Sequence, residues 1–281
     1  MKKIIAAAVT AAFMAPVAYA ADISVSGELE FQYRATDGAD NLVRNDDNVL
    51  VVSASSELAN GMTIKGDLPF NLDGGSDGGE SIDISGSGMK FGFGDVSGAL
   101  DAVGDYSDVA PEAGGFAGDG NDAVVYAQFS VGPATVTVSH SPKGDSAISG
   151  GVSDDFNSYS AKMAVGAGEV YAGTETGDGV TDVTAYGIKQ SVGGIMIAGE
   201  YADYDDGSSA TGIALTYKMG DISLGMENQV VENAAGANTT DSTVIFAKYS
   251  LGGGATAYVE TESDGLDNGT DQNTIGISYS F

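Results

Sequence analysis

The chain has 281 residues, with 40 acidic side chains against 11 basic ones, a net charge of −29 and no cysteine; such acidity argues against nucleic acid or anionic surfaces as partners. Glycine is abundant (42) and proline scarce (5), while Val, Ile, Thr, Ser and Tyr recur in short runs punctuated by Gly, Asp and Asn, an all-β composition. No long apolar run or sustained helical periodicity follows residue 20, which excludes a helical membrane protein.

The chain begins with Lys2 and Lys3, an apolar stretch from Ile4 to Val17, and the small-residue pattern Ala18-Tyr19-Ala20. This reads as a secretory signal peptide over residues 1–20, since the stretch is alanine-rich and too short to span a bilayer comfortably; an uncleaved membrane anchor is the alternative. Cleavage would leave residues 21–281 with nine basic and 40 acidic side chains, a net charge of −31. The signal leads to an oxidising compartment, yet no disulfide is available, so stability must come from hydrogen-bonded sheet. A closed barrel meets that demand because no strand edge stays unpaired.

The first segment after the signal alternates strictly. Ile23, Val25, Leu29, Phe31 and Tyr33 share one face; Asp22, Ser24, Ser26, Glu28, Glu30, Gln32 and Arg34 share the other. An apolar face toward lipid and a polar face toward a lumen is the pattern of a transmembrane β-strand. Leu50, Val52 and Ala54 lead to a turn at Ala59-Asn60-Gly61, and Met62, Ile64, Leu68 and Phe70 climb away with Thr63, Lys65 and Asp67 opposite. After a Gly/Asp-rich loop at 73–79 come short strands around Ile82 and Phe91, turning near Gly86 to Gly88. Residues 95–121 show no alternation. Strand pairs then turn at Gly132-Pro133, Gly166-Ala167-Gly168, Gly193-Gly194, Gly220-Asp221 and Gly252-Gly253-Gly254, and the last strand runs Asn273, Ile275, Ile277, Tyr279, Phe281. The pattern predicts a transmembrane antiparallel β-barrel of 16 strands, with 14 as the runner-up because the strands around 80–94 are short. A calcium-binding β-roll would need the Gly/Asp turn at 74–79 to recur every nine residues, and it does not.

Catalysis finds little to work with. There is no Cys, and the single histidine, His140, falls on the outward face of its strand. A Ser-His hydrolase of the membrane would have only that residue as base. Asp203, Asp205 and Asp206, or Asp73 and Asp77, offer hard oxygen ligands for Ca²⁺, but without the spacing of a defined calcium loop; solvated loops are the alternative.

A segment of more than 20 residues without strand character is unusual in such a barrel and asks for a functional reading, a solvated acidic loop being the alternative. It carries Asp101, Asp105, Asp108, Glu112 and Asp119. Within it, Tyr106-Ser107-Asp108-Val109-Ala110-Pro111-Glu112-Ala113-Gly114-Gly115 resembles the constriction loop of the general bacterial porins, with its Pro-Glu-Phe-Gly-Gly motif. Ala113 stands where that motif has Phe, and Phe116 is positioned to substitute. The strand pattern, the signal peptide and the terminal aromatic strand ending at Phe281 resemble the same family over essentially the whole mature chain.

The resemblance implies a homotrimer in the outer membrane of a Gram-negative bacterium, in contact with outer-membrane lipid and lipopolysaccharide. It implies that the outer-membrane assembly machinery reads the final strand. The third loop would fold inward to narrow a pore for passive diffusion of small hydrophilic solutes. In many relatives a basic wall faces that loop. Here the corresponding wall positions fall on Glu28, Val49 and Ser81; Lys65, Arg34 and Arg44 are the nearest basic candidates, and of these only Lys65 sits both inward and near mid-height. The expected pore is therefore lined by Glu28, Glu30 and Lys65, constricted by the five loop carboxylates, and prefers cations. A channel specific to one substrate class would show a run of inward aromatics, but Tyr126, Tyr171, Phe246 and Tyr258 sit on separate strands. A structural or adhesive barrel with a plugged lumen is the third reading.

Overall fold

Strict alternation lets each strand present one apolar and one polar face, and hydrogen bonding on both edges then closes the sheet on itself. A computed structural model describes residues 21–36, 39–44, 48–72, 79–111, 116, 118, 122–142, 155–178, 180–266 and 271–281. The expected signal peptide lies outside these residues, as do Glu112, Asp119, Asp73 and Asp77.

The elements are β1 (Asp22–Thr36), β2 (Ala39–Arg44), β3 (Val49–Glu57), β4 (Thr63–Asn71), β5 (Ser81–Gly86), β6 (Met89–Val96), β7 (Ala123–Val131), β8 (Ala134–Ser141) and β9 (Asp155–Val165). They continue as β10 (Gly168–Asp178), β11 (Val183–Val192), β12 (Ile195–Tyr204), β13 (Ser209–Met219), β14 (Ile222–Glu232), β15 (Asn238–Gly252), β16 (Ala255–Asp264) and β17 (Gln272–Ser280). From β3 on, each strand pairs antiparallel with the next, β1 pairs with both β2 and β3, and β17 returns to β1, so one sheet closes into a barrel. β2 and β3 lie end to end along β1: β2 pairs with Phe31 to Thr36 and β3 with Asp22 to Glu28. They are two halves of one stave, and the barrel has 16 strands. At the break, Asn48 substitutes for ladder hydrogen bonds. Its Oδ1 accepts from the Glu30 N–H at 2.5 Å and its Nδ2 donates to the Glu30 carbonyl at 3.3 Å.

The alternation fixes which way each residue points, because a one-residue slip would reverse every side chain. Phe31, Tyr217 and Ile277 are exposed on the outer surface, whereas their neighbour Glu30 is buried within the lumen. The turns at one mouth are short. At Gly193-Gly194 both residues have positive φ (61° and 84°), as a tight two-residue hairpin of this twist requires. The opposite mouth carries the longer connections, which is the sidedness of outer-membrane barrels, with short turns at the periplasm and longer loops outside.

The four inward aromatics share one device. Tyr126 faces Gly92, Tyr171 faces Gly187, Phe246 faces Gly225 and Tyr258 faces Gly276, each directly across the ladder. A β-carbon at any of these glycines would collide with the ring, so each aromatic lies flat over its partner strand and leaves the lumen open. All four rings are buried.

Candidate functional site

Between β6 and β7 the chain leaves the wall and enters the lumen. Its first turn is fastened by wall serines: the Ala99 N–H donates to Ser139 Oγ at 2.8 Å and the Leu100 N–H to Ser158 Oγ at 2.9 Å. Leu100 is wholly buried and sits over Gly173, where a β-carbon would be 2.7 Å from its side chain. The next stretch is fastened by carboxylates. Glu200 accepts from the Ser107 N–H (2.7 Å), the Ser107 hydroxyl (2.5 Å) and the Tyr171 hydroxyl (2.7 Å). Glu227 accepts from the N–H groups of both Val109 and Ala110 at 2.8 Å. Two wall carboxylates thus collect five N–H and O–H donors, four of them from the loop.

Apolar packing completes the docking. Leu100, Val103, Tyr106 and Phe116 form one buried cluster with Tyr171, Val183, Ala185, Ala198, Ala202, Ala210 and Ala214. The barrel wall supplies mostly alanine and glycine here, so the loop can approach the sheet closely. Phe116, expected to stand in for the missing motif aromatic at Ala113, is 2% exposed and packs over Gly212. Tyr106 meets Tyr171 edge-on at 5.0 Å, and Lys189 Nζ lies 4.2 Å from the Tyr106 ring centroid while pairing with Glu169 at 2.8 Å.

With this face buried, the loop turns its carboxylates toward the remaining space. Asp105 is exposed and holds a left-handed backbone (φ 63°), and Asp108 is exposed beside it. Withdrawal from bulk water, reinforced by Asp108, Glu200 and Asp101, pushes the Asp105 carboxyl up to about 6. Asp108 is raised by the same desolvation and partly restrained by Lys248. Asp122, at the end of the loop, is pushed up to about 6 by desolvation and by Asp95 and Asp101.

Glu28 and Glu30 share the face of β1 opposite the exposed Phe31, and Val49 and Ser81 carry no charge. Lys65, read as the inward basic residue near mid-height, is the third residue of β4 and pairs with Asp67 at 2.8 Å, and other inward lysines accompany it. Lys90 pairs with Asp83 at 3.1 Å, Lys189 with Glu169, and Lys248 lies in the field of Asp108, Glu227, Glu260 and Glu30. Parity marks all of these as inward in the sequence; what was not legible was which depth they reach.

Glu200, Glu227 and Glu260 were also missed. Each is the sixth residue of a strand that begins after a Gly-containing turn, so they recur at one depth, and all are buried. That spacing was the available signal. His140 faces outward and is half-exposed, its Nδ1 3.0 Å from the Phe156 carbonyl. Among the described residues no acidic, His or Cys side chains gather in groups of three able to hold a metal ion; Asp206 accepts instead from the N–H and hydroxyl of Ser208.

The family model described as Gram-negative porin matches residues 6–280. A porin structure refined at 1.8 Å resolution superposes with a TM-score of 0.73 at 19% identity, covering 92% of this chain and all of that one. Salmonella typhi OmpF, solved in complex with daunomycin, gives 0.74 at 13% identity over 92% of this chain and 97% of its own. OmpT of Vibrio cholerae gives 0.70 at 16% identity over 95% of this chain and all of its own. No curated protein matches the sequence significantly. A closed 16-strand barrel with its third loop docked inside, matched by the family model over nearly its whole length, places this chain among the Gram-negative porins: it belongs to a family of outer-membrane channels, not enzymes.

Proposed function

We propose that this porin passes small hydrophilic solutes and ions by passive diffusion and prefers cations. One observation carries the reading: the loop buries its apolar face and backbone donors against the wall and leaves Asp105 and Asp108 facing the open lumen. Glu30, Glu227 and Glu260 join Asp108 in the field around one lysine, Lys248. An excess of fixed negative charge in a narrow water-filled passage attracts cations and repels anions. The expected constriction carboxylates Asp101, Asp105, Asp108, Glu112 and Asp119 extend that excess along the loop, and the wall contributes Glu28, Glu30 and the ion-paired Lys65.

The test is the reversal potential of reconstituted channels in a KCl gradient, comparing the parent with Asp108→Asn and Glu112→Gln. Cation preference in the parent that weakens in the double variant supports the reading. Anion preference in the parent overturns it.

The same reading takes the mature chain to begin at Ala21 after signal cleavage, which N-terminal sequencing of the membrane-extracted protein checks. It takes the working unit to be a homotrimer seated in lipid and lipopolysaccharide, delivered by the assembly machinery. Native mass measurement of unheated, detergent-extracted protein checks that, and a clean monomer would refute it.

A further inference from the structure

Charge is distributed unevenly along the barrel axis as well as across it. All six lysines among the described residues lie within five residues of a short-turn end of their strand: Lys65, Lys90, Lys162, Lys189, Lys218 and Lys248. Alternation turns each of them inward. In the same part of the lumen Asp67, Asp83 and Glu169 pair with three of them, and Glu57 and Asp22 add two more carboxylates, so this half is close to balanced.

The other half is not. At mid-height the inward positions of β12, β14 and β16 carry Glu200, Glu227 and Glu260, toward the long loops Glu175 and Glu262 follow on β10 and β16, and the inserted loop adds Asp101, Asp105, Asp108 and Asp122. Among the described residues the inward strand cation on that side is Arg34. The lumen thus passes from an acidic outer half to a near-neutral inner half.

From this gradient we infer that the channel rectifies: at low salt it conducts more current when cations are driven from the long-loop mouth toward the short-turn mouth than in the reverse direction. The inference rests on the cation preference proposed above. The physics is that of two ion-selective segments in series. In the acidic half cations carry nearly all the current, and in the neutral half both ions share it. When cations move inward, anions drawn from the opposite side stop at the acidic half, so salt accumulates in the neutral half and conductance rises. Reversing the voltage depletes that half and conductance falls. The asymmetry requires a screening length comparable to the lumen, so it fades from low salt, where the Debye length exceeds about 10 Å, to roughly 1 M, where it is about 3 Å.

Orientation in a planar bilayer is fixed by Ala234→Cys, an exposed position in the connection between β14 and β15, reacted with an impermeant thiol reagent from one side. Current–voltage curves are then recorded in symmetric KCl at roughly 0.05 M and 1 M. The expected ratio of currents at opposite polarity is on the order of two at low salt, greater for inward cation flow, and close to one at high salt. Lys65→Gln, Lys162→Gln and Lys218→Gln together extend the acidic character into the inner half and leave the loop's own contacts in place. They should flatten the ratio while increasing cation preference. Glu175→Gln with Glu262→Gln should flatten it while decreasing cation preference. Reversal potentials on the same channels separate the two claims: a cation-selective parent with symmetric currents at low salt overturns rectification alone, whereas an anion-selective parent overturns the reading beneath it.

Discussion

The two sides of the lumen are built from different alphabets. From β8 to β13 the inward positions are largely Ser, Ala and Gly, and they disappear beneath the docked loop; Ser139, Ser158, Ala185, Ala198, Ala202 and Ala210 are all buried. From β15 through β17 to β5 the inward positions carry Lys248, Glu28, Lys65, Asp67 and Asp83, which stay at least partly exposed to the open passage. The contrast teaches that a loop can be stored inside a barrel only where the wall has given up volume. Charge for selectivity and small residues for packing compete for the same positions, and the molecule settles the competition by dividing the circumference.

The sharpest way to break that division is at the carboxylates that hold the loop. Replacing Glu200 and Glu227 together by Ala leaves five donors without their acceptors, and hydrogen bonds to charged groups contribute about 1.5–3 kcal/mol each. We expect the loop to detach while the barrel persists: protease cuts within 105–111 in folded protein, and single-channel conductance rises. Protection equal to that of the parent would show that apolar packing alone suffices.

A smaller loss is expected on filling the docking face. Phe116→Leu keeps most of the volume and should weaken docking by about 1 kcal/mol, measured as a modest increase in the same proteolysis rate. Gly212→Ala acts from the other partner, since its new β-carbon would crowd Ser107 and the Phe116 ring, and a comparable loss is expected.

Acid probes the free face of the loop. With the Asp105 carboxyl at about 6, lowering the pH through that value neutralises it, so cation preference should decline between pH 7 and 5. Asp122 is raised to the same value, so Asp105→Asn together with Asp122→Asn should remove most of that step in a reversal-potential titration. The smallest effect belongs to the open side. Lys65→Met breaks an exposed ion pair with Asp67, and such pairs contribute about 0–1 kcal/mol, so thermal stability should hardly move.

Most of the wall was legible from residue order because strand parity has a period of two and is independent of the rest of the fold. Phe31, Tyr217 and Ile277 fall outward in the sequence and in the structure for that reason. The broken stave at Asn48 was not legible, since Ala39–Arg44 shows no alternation of apolar and polar residues that would announce a strand. The loop announced itself by lacking alternation and by its motif, but its fastening did not. Ser107 and Glu200 are 93 residues apart, and Val109 and Glu227 are 118 apart, joined through backbone donors that leave no mark on residue identity. Phe116 was nameable because an expected aromatic was missing three positions earlier. The depth of Lys90, Lys189 and Lys248 depends on barrel tilt and register, which hairpin-by-hairpin reading does not supply.

The fastening through main-chain amides also bears on how this protein can change over generations. Glu227 recognises peptide groups, not side chains, at Val109 and Ala110, so almost any residue there preserves the grip and only proline, lacking the N–H, forfeits it. Pro111 stands at the first position beyond the two amides that Glu227 holds. The wall therefore holds the loop's shape while leaving much of its spelling open to selection. A lineage of this barrel can alter what it admits by rewriting a few letters facing the water, with no compensating change in the sheet.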